Sequence, residues 1–397
     1  MIISPKFKGY ICTTAHPEGC ANNVSDQINY VKNHAFIKGP NNVLVIGASA
    51  GYGLASRIVS TFGAGANTIG IVFEKPASNN RTATAGWYNT AAFEQKAADA
   101  GYYAKTINGD AFSNKIKEET LELIRNDLGK IDLIIYSIAA PRRTDPVTGE
   151  TYSSALKPIG NSFVSKTVDI NNNSISGVEI CPATEEEIRQ TMKVMGGEDW
   201  VLWMKTLSEA GVLSDGVKTV AYTYIGSDIT EPIYRNGTIG KAKEHLEKST
   251  VDINEILKPW NGKAYVASNK ALVTQSSSAI PVVTLYIALL LKIMKENNTD
   301  ETCIEQIYRL FADKMYHEQP SEDSLIRMDE FELSDEVQNK IKDVWDSLNS
   351  ENVTELTDIV RFKYEFLKLF GFGHPKVNYE VDADQLIAIP SVPMAND

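Results

Sequence analysis

The chain of 397 residues carries 39 basic against 51 acidic side chains, a formal net charge of -12, which on average repels nucleic-acid backbones and anionic membrane surfaces. Its composition, 43% hydrophobic and 23% charged, is that of a globular protein with a substantial core and excludes a disordered chain. This length allows two or three average domains, but an elaborated α/β enzyme uses it as one unit, and one large domain with insertions is expected.

Cys12, Cys20, Cys181 and Cys303 are too few and too scattered for a disulfide scaffold, and the Cys12–Cys20 spacing fits no common zinc pattern. The opening MIISPKFKGY lacks the apolar run of a signal peptide, because Pro5, Lys6 and Lys8 interrupt it. A reducing, cytoplasmic compartment is the expectation.

Residues 1–40 form an N-terminal extension before the first strong signal. The run Val43 to Ile46 ends in glycines and leads into Leu54 to Val59, the pattern of strand, tight turn and helix. Thr68 to Phe73 predicts a second strand, Ala91 to Tyr103 a helix, and Tyr103 to Ile107 a short third strand. Ser113 is suited to cap a helix running to Leu128, and Ile131 to Ile138 is a strongly apolar, β-rich strand. Continuous apolar strands alternating with helices predict a Rossmann-type α/β fold, a doubly wound parallel sheet covered on both faces.

From Pro141 to about Pro182 the periodicity dissolves into polar, turn-rich sequence, so 141–200 is expected to be an insertion that covers the substrate crevice beyond a strand's carboxyl end. Thr184 and Glu187 form a capping box that opens an amphipathic helix, and Lys218 to Ile225 is the next strand. Ile280 to Leu291, about twelve apolar residues, is too short to cross a bilayer and predicts a buried helix. Ser334 to Leu348 and Glu355 to Phe370 predict helices within a mainly helical C-terminal elaboration over 300–397.

The clearest chemical signal is Gly47-Ala48-Ser49-Ala50-Gly51-Tyr52-Gly53, between a buried-type strand and a helix. Glycines there let the backbone approach a pyrophosphate, whose charge meets the helix N-terminus. The spacing G-x-x-x-G-x-G is the short-chain dehydrogenase variant, although a glycine-rich turn without a ligand has the same letters. Glu74 closes the second strand 21 residues after Gly53, where a carboxylate binds adenosine ribose hydroxyls and repels a 2′-phosphate, which points to NADH. A solvated strand-end residue is the plain alternative. Asp110 is suited to the adenine amino group, but an Asn-Gly-Asp turn needs no ligand.

No histidine has a metal-type partner at i+3 or i+4, so no metal is expected. Gly-Lys-Ser/Thr is absent, which disfavours a phosphotransferase reading, and the Gly-x-Ser-x-Gly letters within Gly47 to Gly51 belong to the dinucleotide-type turn rather than to a hydrolase elbow.

After Ile225, Tyr234 and Lys243 stand with eight residues between them. This Tyr-x8-Lys spacing, the GASAGYG turn, the earlier Tyr224 and the SSSAIP segment from Ser276 to Pro281 together resemble the FabV-type trans-2-enoyl-CoA reductases over essentially the whole chain. The resemblance implies Tyr234 as the catalytic hydroxyl, Lys243 as a catalytic and cofactor-binding residue, and Tyr224 as a substrate contact. It further implies NADH contacts from Gly47, Ala48, Ser49, Ala50, Gly51 and Tyr52, from Phe73 and Glu74, and from Asp110 and Ala111. Ile138 and Ala139, with Leu272, Val273 and Thr274, complete the implied set.

The function so implied is NADH-dependent reduction of the 2,3-double bond of trans-2-enoyl-CoA thioesters, in a monomer or weak homo-oligomer. An enoyl-acyl-carrier-protein substrate is the first alternative, and a non-catalytic NADH-binding regulator the second. Taken alone, Tyr234 is one of 17 tyrosines, which are more often packed aromatics with a satisfied hydroxyl. Tyr224, ten residues earlier, is a second phenol able to share the carbonyl. The Ile280 to Leu291 helix is either a wall for the acyl tail or plain core.

Overall fold

A computed structural model describes residues 1–397 apart from 9–10, 281, 318–323 and 394–397. The expected SSSAIP segment, the Ile280 to Leu291 helix, the opening extension and the C-terminal elaboration each run partly outside the described residues at those positions.

The chain opens with a short hairpin, β1 (Phe7–Lys8) and β2 (Ile11–Cys12), and helix α1 (Pro17–Lys32). An alternating unit follows: β3 (Asn42–Ile46), α2 (Gly51–Ile58), β4 (Asn67–Val72), α3 (Ala85–Asp99), β5 (Ala104–Asn108), α4 (Asn114–Leu123) and β6 (Ile131–Tyr136). Two antiparallel hairpins come next, β7 (Arg142–Thr144) with β8 (Thr151–Ser153) and β9 (Phe163–Asp169) with β10 (Ser174–Ile180). Then follow α5 (Glu185–Met195), α6 (Glu198–Glu209), β11 (Leu213–Thr223), α7 (Thr238–Leu257), β12 (Lys263–Ser268) and α8 (Val283–Glu296). The chain ends through α9 (Cys303–Arg309), β13 (Leu325–Arg327), α10 (Asp335–Trp345), α11 (Val353–Leu356) and α12 (Ile359–Lys368).

Seven strands form one parallel sheet in the order β13-β12-β11-β6-β3-β4-β5. The apolar runs explain it, because alternate residues of each strand enter different cores. Val43, Val45, Leu133, Ile135 and Val220 join the core under one face, and Leu44, Ile46, Ile134 and Ala221 the core under the other. Each such side chain, once buried, contributes roughly 1.5–3 kcal/mol, and both faces must be covered for that to hold. The strand order reverses between β3 and β6, so a crevice opens at their carboxyl ends, where open α/β sheets bind ligands.

A third core gathers around α8, which is buried on all sides, with α10, α12 and the β9 hairpin packed against it. The insertion is tied to the start of α7: Pro158 bridges to Gly237, the Thr238 N–H donates to the Lys157 carbonyl at 3.0 Å, and α5 packs on α7.

Several boundaries differ from the sequence expectation. Helix α3 starts at Ala85 rather than Ala91, because the buried Trp87 and Tyr88 supply packing that overrides the poor helix former Gly86. Strand β6 ends at Tyr136 rather than Ile138, since the Ser137 N–H makes a last bond to the Ile46 carbonyl and the chain then leaves the sheet. Strand β11 runs from Leu213 to Thr223 instead of from Lys218 to Ile225, and α8 begins at Val283. Helix α12 begins at Ile359 rather than Glu355, where the Asp358 carboxylate caps the Arg361 N–H at 3.1 Å. The capping box forms as expected, with the Glu187 N–H on Thr184 Oγ1 at 3.2 Å and the Thr184 N–H on Glu187 Oε2 at 2.9 Å.

Candidate active site

The residues singled out in the sequence fall at the carboxyl ends of neighbouring strands. Gly47 to Tyr52 follow β3, Phe73 and Glu74 follow β4, and Asp110 and Ala111 follow β5. Ile138 and Ala139 follow β6, Tyr224 follows β11, and Leu272 to Thr274 follow β12. A surface cavity of about 310 Å³ lined by Ser25, Ile28, Lys32, Phe62 and Lys96 lies instead beside the far end of α3, away from this edge.

The turn after β3 is built by backbone geometry. Gly47 has φ +89°, and a Cβ there would stand 2.1 Å from the Ser137 carbonyl oxygen, so only glycine lets the turn lie against the end of β6. Gly51 has φ +53° and faces open space. Gly47 and Ala48 spend their N–H groups on the Ile71 carbonyl at 2.9 and 3.0 Å. At the start of α2, by contrast, no side chain caps the first N–H groups. Those donors and the positive end of the helix dipole are what a pyrophosphate requires.

The Glu74 carboxylate lies over this turn: a Cβ on Gly86 would meet its Oε1 at 2.1 Å and the Ser49 Cβ at 2.8 Å. Its backbone is fixed by a reciprocal pair with the Asn108 side chain, at 2.8 and 3.0 Å. Phe73 is 77% exposed, an apolar ring open at the crevice rim. Asp110 makes a local turn, its Oδ1 accepting from the Phe112 N–H at 3.0 Å. Ala111 is held from behind: its carbonyl accepts from Lys117 Nζ at 3.1 Å and from the Trp203 indole at 3.2 Å. Lys117 in turn donates to Asp199 at 2.9 Å, and Tyr136, the last residue of β6, donates to the same carboxylate at 3.1 Å. Burial raises the Asp199 pKa and Lys117 opposes that rise. This buried group therefore ties the 110–111 loop to the end of β6.

Tyr52 joins two segments, because its hydroxyl lies 3.0 Å from the Lys270 carbonyl and 3.2 Å from Gln306 Oε1. Leu272 is buried, and the Thr274 N–H donates to Ser277 Oγ at 2.9 Å, which fixes the turn after β12.

Tyr234 sits in a tight turn between β11 and α7, its N–H bonded to the Thr230 carbonyl at 2.9 Å. A Cβ on Gly240 would lie 1.9 Å from the Arg235 carbonyl oxygen, so glycine is what lets α7 start directly against this turn. The Tyr234 ring is 8% exposed and meets Tyr224 edge to face, with ring centroids 4.7 Å apart at 84°. Burial pushes both phenols upward, so both are protonated at neutral pH. No hydrogen-bond partner for the Tyr234 hydroxyl occurs among the described residues, whereas the Tyr224 hydroxyl donates to Glu332 Oε1 at 2.8 Å. Lys243 projects from α7, and its Nζ donates to the Tyr222 carbonyl on β11 at 2.9 Å. Burial lowers its pKa to about 8, against the pull of Glu247.

Sequence reasoning missed Glu332, Lys270, Lys117 and Asp199. Glu332 and Lys270 are fully buried charges at the crevice edge, separated from their partners by long stretches of chain. Nothing in the local letters marks them.

The uncapped start of α2, the open side of Gly51 and the carboxylate beside Ser49 fit a dinucleotide without a 2′-phosphate. Fold and site thus define a dinucleotide-dependent reductase. The family model described as the trans-2-enoyl-CoA reductase catalytic region matches residues 81–316, and the one described as the NAD(P)H binding domain of trans-2-enoyl-CoA reductase matches residues 2–79. The chain belongs to the trans-2-enoyl-CoA reductase family. It is 54% identical over 97% of its length to a Ruminiclostridium cellulolyticum protein named trans-2-enoyl-CoA reductase (NADH), covering 98% of it. It is also 54% identical over 98% of its length to a Cytophaga hutchinsonii protein named enoyl-[acyl-carrier-protein] reductase (NADH), covering 99% of it. The crystal structure of the Clostridium acetobutulicum trans-2-enoyl-CoA reductase in complex with NADH superposes with a TM-score of 0.96 at 43% identity, covering 99% of this chain and 100% of that one. The Treponema denticola enzyme in complex with NAD gives 0.94 at 45% identity, covering 98% and 100%.

A third model, described as the enoyl reductase FAD binding domain, matches residues 321–383. The described residues there do not fit a flavin. The starts of α10 and α12 are already filled by the Ser334 and Asp358 side chains, and Gly371 packs on α1, where a Cβ would lie 2.4 Å from the His16 carbonyl oxygen.

Proposed function

We propose that this chain reduces the 2,3-double bond of trans-2-enoyl thioesters, with CoA as the carrier, that Tyr234 and Tyr224 act on the substrate side, and that Lys243 faces the cofactor. The observation that carries the reading is the buried, uncommitted Tyr234 phenol packed on Tyr224 just after β11, the strand to whose end Lys243 also bonds, one strand beyond the β3–β6 crevice. NADH supplies the hydride. As C3 of the enoyl group accepts it, charge gathers on the thioester oxygen, where the Tyr234 hydroxyl donates a hydrogen bond that strengthens toward the transition state. The raised pKa of Tyr234 keeps that proton on the phenol, so it stabilises the enolate without surrendering the proton. The proton at C2 comes from solvent or a relayed donor.

Lys243 holds the ribose or phosphate of the nicotinamide half and adds positive potential. Gly47 to Tyr52, Phe73, Glu74, Asp110, Ala111, Ile138, Ala139 and Leu272 to Thr274 bind the rest of the cofactor. Residues 141–200 cover the substrate, a role supported by the Pro158–Gly237 bridge beside Tyr234. Tyr234 and α8 share one apolar core, which favours the α8 end as a wall for the acyl tail. Four unpaired cysteines suit a reducing, cytoplasmic setting, and the proposed assembly is a monomer or weak homo-oligomer. Among the described residues no helix is long and apolar enough to cross a membrane.

The name of the Cytophaga hutchinsonii relative favours a second carrier, acyl-carrier protein. Measuring kcat/KM with NADH for a crotonyl group on CoA and on carrier protein tests both. The CoA thioester is expected to be the better substrate. A higher value on carrier protein would reverse the assignment, and no NADH oxidation with either would remove the activity.

A further inference from the structure

The proton inventory around Tyr224 carries one more step. Glu332, in the loop between β13 and α10, is fully buried. Its Oε1 accepts from the Tyr224 hydroxyl at 2.8 Å and from the Tyr286 hydroxyl at 2.7 Å, and its Oε2 accepts from the Ala271 N–H at 2.6 Å. Gln338 backs the group, its amide lying 3.3 Å from the Tyr286 oxygen and 2.7 Å from the Glu332 carbonyl. Three donors thus converge on one side chain, which is the environment of an ionised, acceptor-only carboxylate. Burial raises its pKa, while the three donors and the neighbouring Lys270 ammonium pull it down.

A phenol has a single proton. With that proton on Glu332, Tyr224 retains only lone pairs. Its edge-to-face neighbour Tyr234 has an uncommitted hydroxyl among the described residues. The two phenols are equivalent in composition and differ in what they can donate.

We propose that Glu332 is a positioning residue that takes the Tyr224 proton, so that within the Tyr224–Tyr234 pair only Tyr234 donates to the substrate carbonyl. The same carboxylate holds Ala271 and with it the start of the 272–274 segment, so the donor assignment and the cofactor-side loop share one anchor. This inference rests on the enoyl reductase reading above and adds to it which phenol is the donor and why.

Glu332→Gln is the informative change because it keeps the shape and reverses half of the hydrogen-bond polarity. The Ala271 N–H cannot turn round, so the amide oxygen stays on it and the amide NH₂ faces the two phenols. Both phenols must then accept, and the Tyr224 proton is released. The measurement is kcat with crotonyl-CoA at saturating NADH, for Tyr234→Phe in the natural background and in the Glu332→Gln background. Tyr234→Phe alone is expected to lower kcat by about 100- to 1000-fold, as for loss of one oxyanion donor. In the Glu332→Gln background the same change is expected to cost about tenfold less, because Tyr224 now donates, and adding Tyr224→Phe is expected to restore the full loss.

An equal loss in both backgrounds, or a rescue that survives Tyr224→Phe, overturns the role of Glu332 while leaving the reductase reading intact. No loss on Tyr234→Phe alone overturns the donor role of Tyr234 and this proposal with it, whereas only an absence of NADH oxidation by the natural protein overturns the reductase reading. Should Glu332→Gln not fold, Tyr224→Phe in the natural protein decides. A non-donating Tyr224 predicts a raised KM for the thioester with a kcat loss far smaller than that of Tyr234→Phe, and an equal kcat loss contradicts the proposal.

Discussion

The ammonium of Lys243 donates to the backbone carbonyl of Tyr222 across 2.9 Å, which fixes the second turn of α7 to the end of β11 two residues before Tyr224. The contact places a cation at the strand end next to which Tyr224 and Tyr234 pack together, in surroundings that already favour its neutral form. Burial sets the Lys243 pKa to about 8, so the free protein carries this charge below that pH and loses it above.

The pH dependence follows with a definite sign. In the kcat/KM for NADH, which reports the free enzyme, activity is expected to fall as pH rises through about 8. In kcat the fall moves to higher pH, since a bound anionic cofactor stabilises the ammonium. Lys243→Ala should weaken NADH binding, slow turnover and abolish this limb. A profile flat from about pH 7 to 9.5 in the natural protein would contradict the role of Lys243.

The Glu74 carboxylate, packed over Gly86 and Ser49, is the group proposed to set the cofactor preference. A 2′-phosphate there meets like charge, with exposed Lys75 offering partial relief. NADH is expected to be preferred over NADPH, and Glu74→Ala to narrow the preference mainly by improving use of NADPH. Equal or better kcat/KM with NADPH in the natural protein would contradict this.

The fold was legible where local chemistry decides it. Continuous apolar strands, the glycine turn and the Thr184–Glu187 capping box all act over a few residues, and the parallel sheet and the turn follow from them. Boundaries failed where tertiary packing overrides propensity, as at Ala85, where Trp87 and Tyr88 are buried through a poor helix start. Tyr234, Lys243 and Tyr224 stand out in the sequence only through their spacing pattern. Glu332 was not legible at all, because its meaning comes from Tyr224, 108 residues away, and Ala271, 61 residues away. The possibility that Tyr224 shares the donor role with Tyr234 is open in the sequence, and it is the Glu332 contact that bears on it.

Lys117 and Asp199 form a buried pair, 4% and 2% exposed, behind the 110–111 loop and the end of β6. Asp199→Ala leaves the ammonium with no anionic partner, only the carbonyls of Ala111 and Phe112 and the face of Trp203, and is expected to cost about 3 kcal/mol of stability. The urea midpoint measures this, and the KM for NADH should rise with it as the loop loosens. An unchanged midpoint would show that the pair is not structural.

The central claim is that this site delivers hydride to C3 of an enoyl thioester, and isotope placement tests it most directly. Incubation of the protein with crotonyl-CoA and NADH deuterated at its transferable position is expected to give butyryl-CoA labelled at C3. A parallel reaction in deuterated water with unlabelled NADH should label C2. These positions follow from polarity, since the thioester carbonyl leaves C3 electrophilic and makes C2 the carbon that takes a proton. Cofactor-derived label at C1, or in an alcohol product, would contradict the account and identify a carbonyl reductase instead.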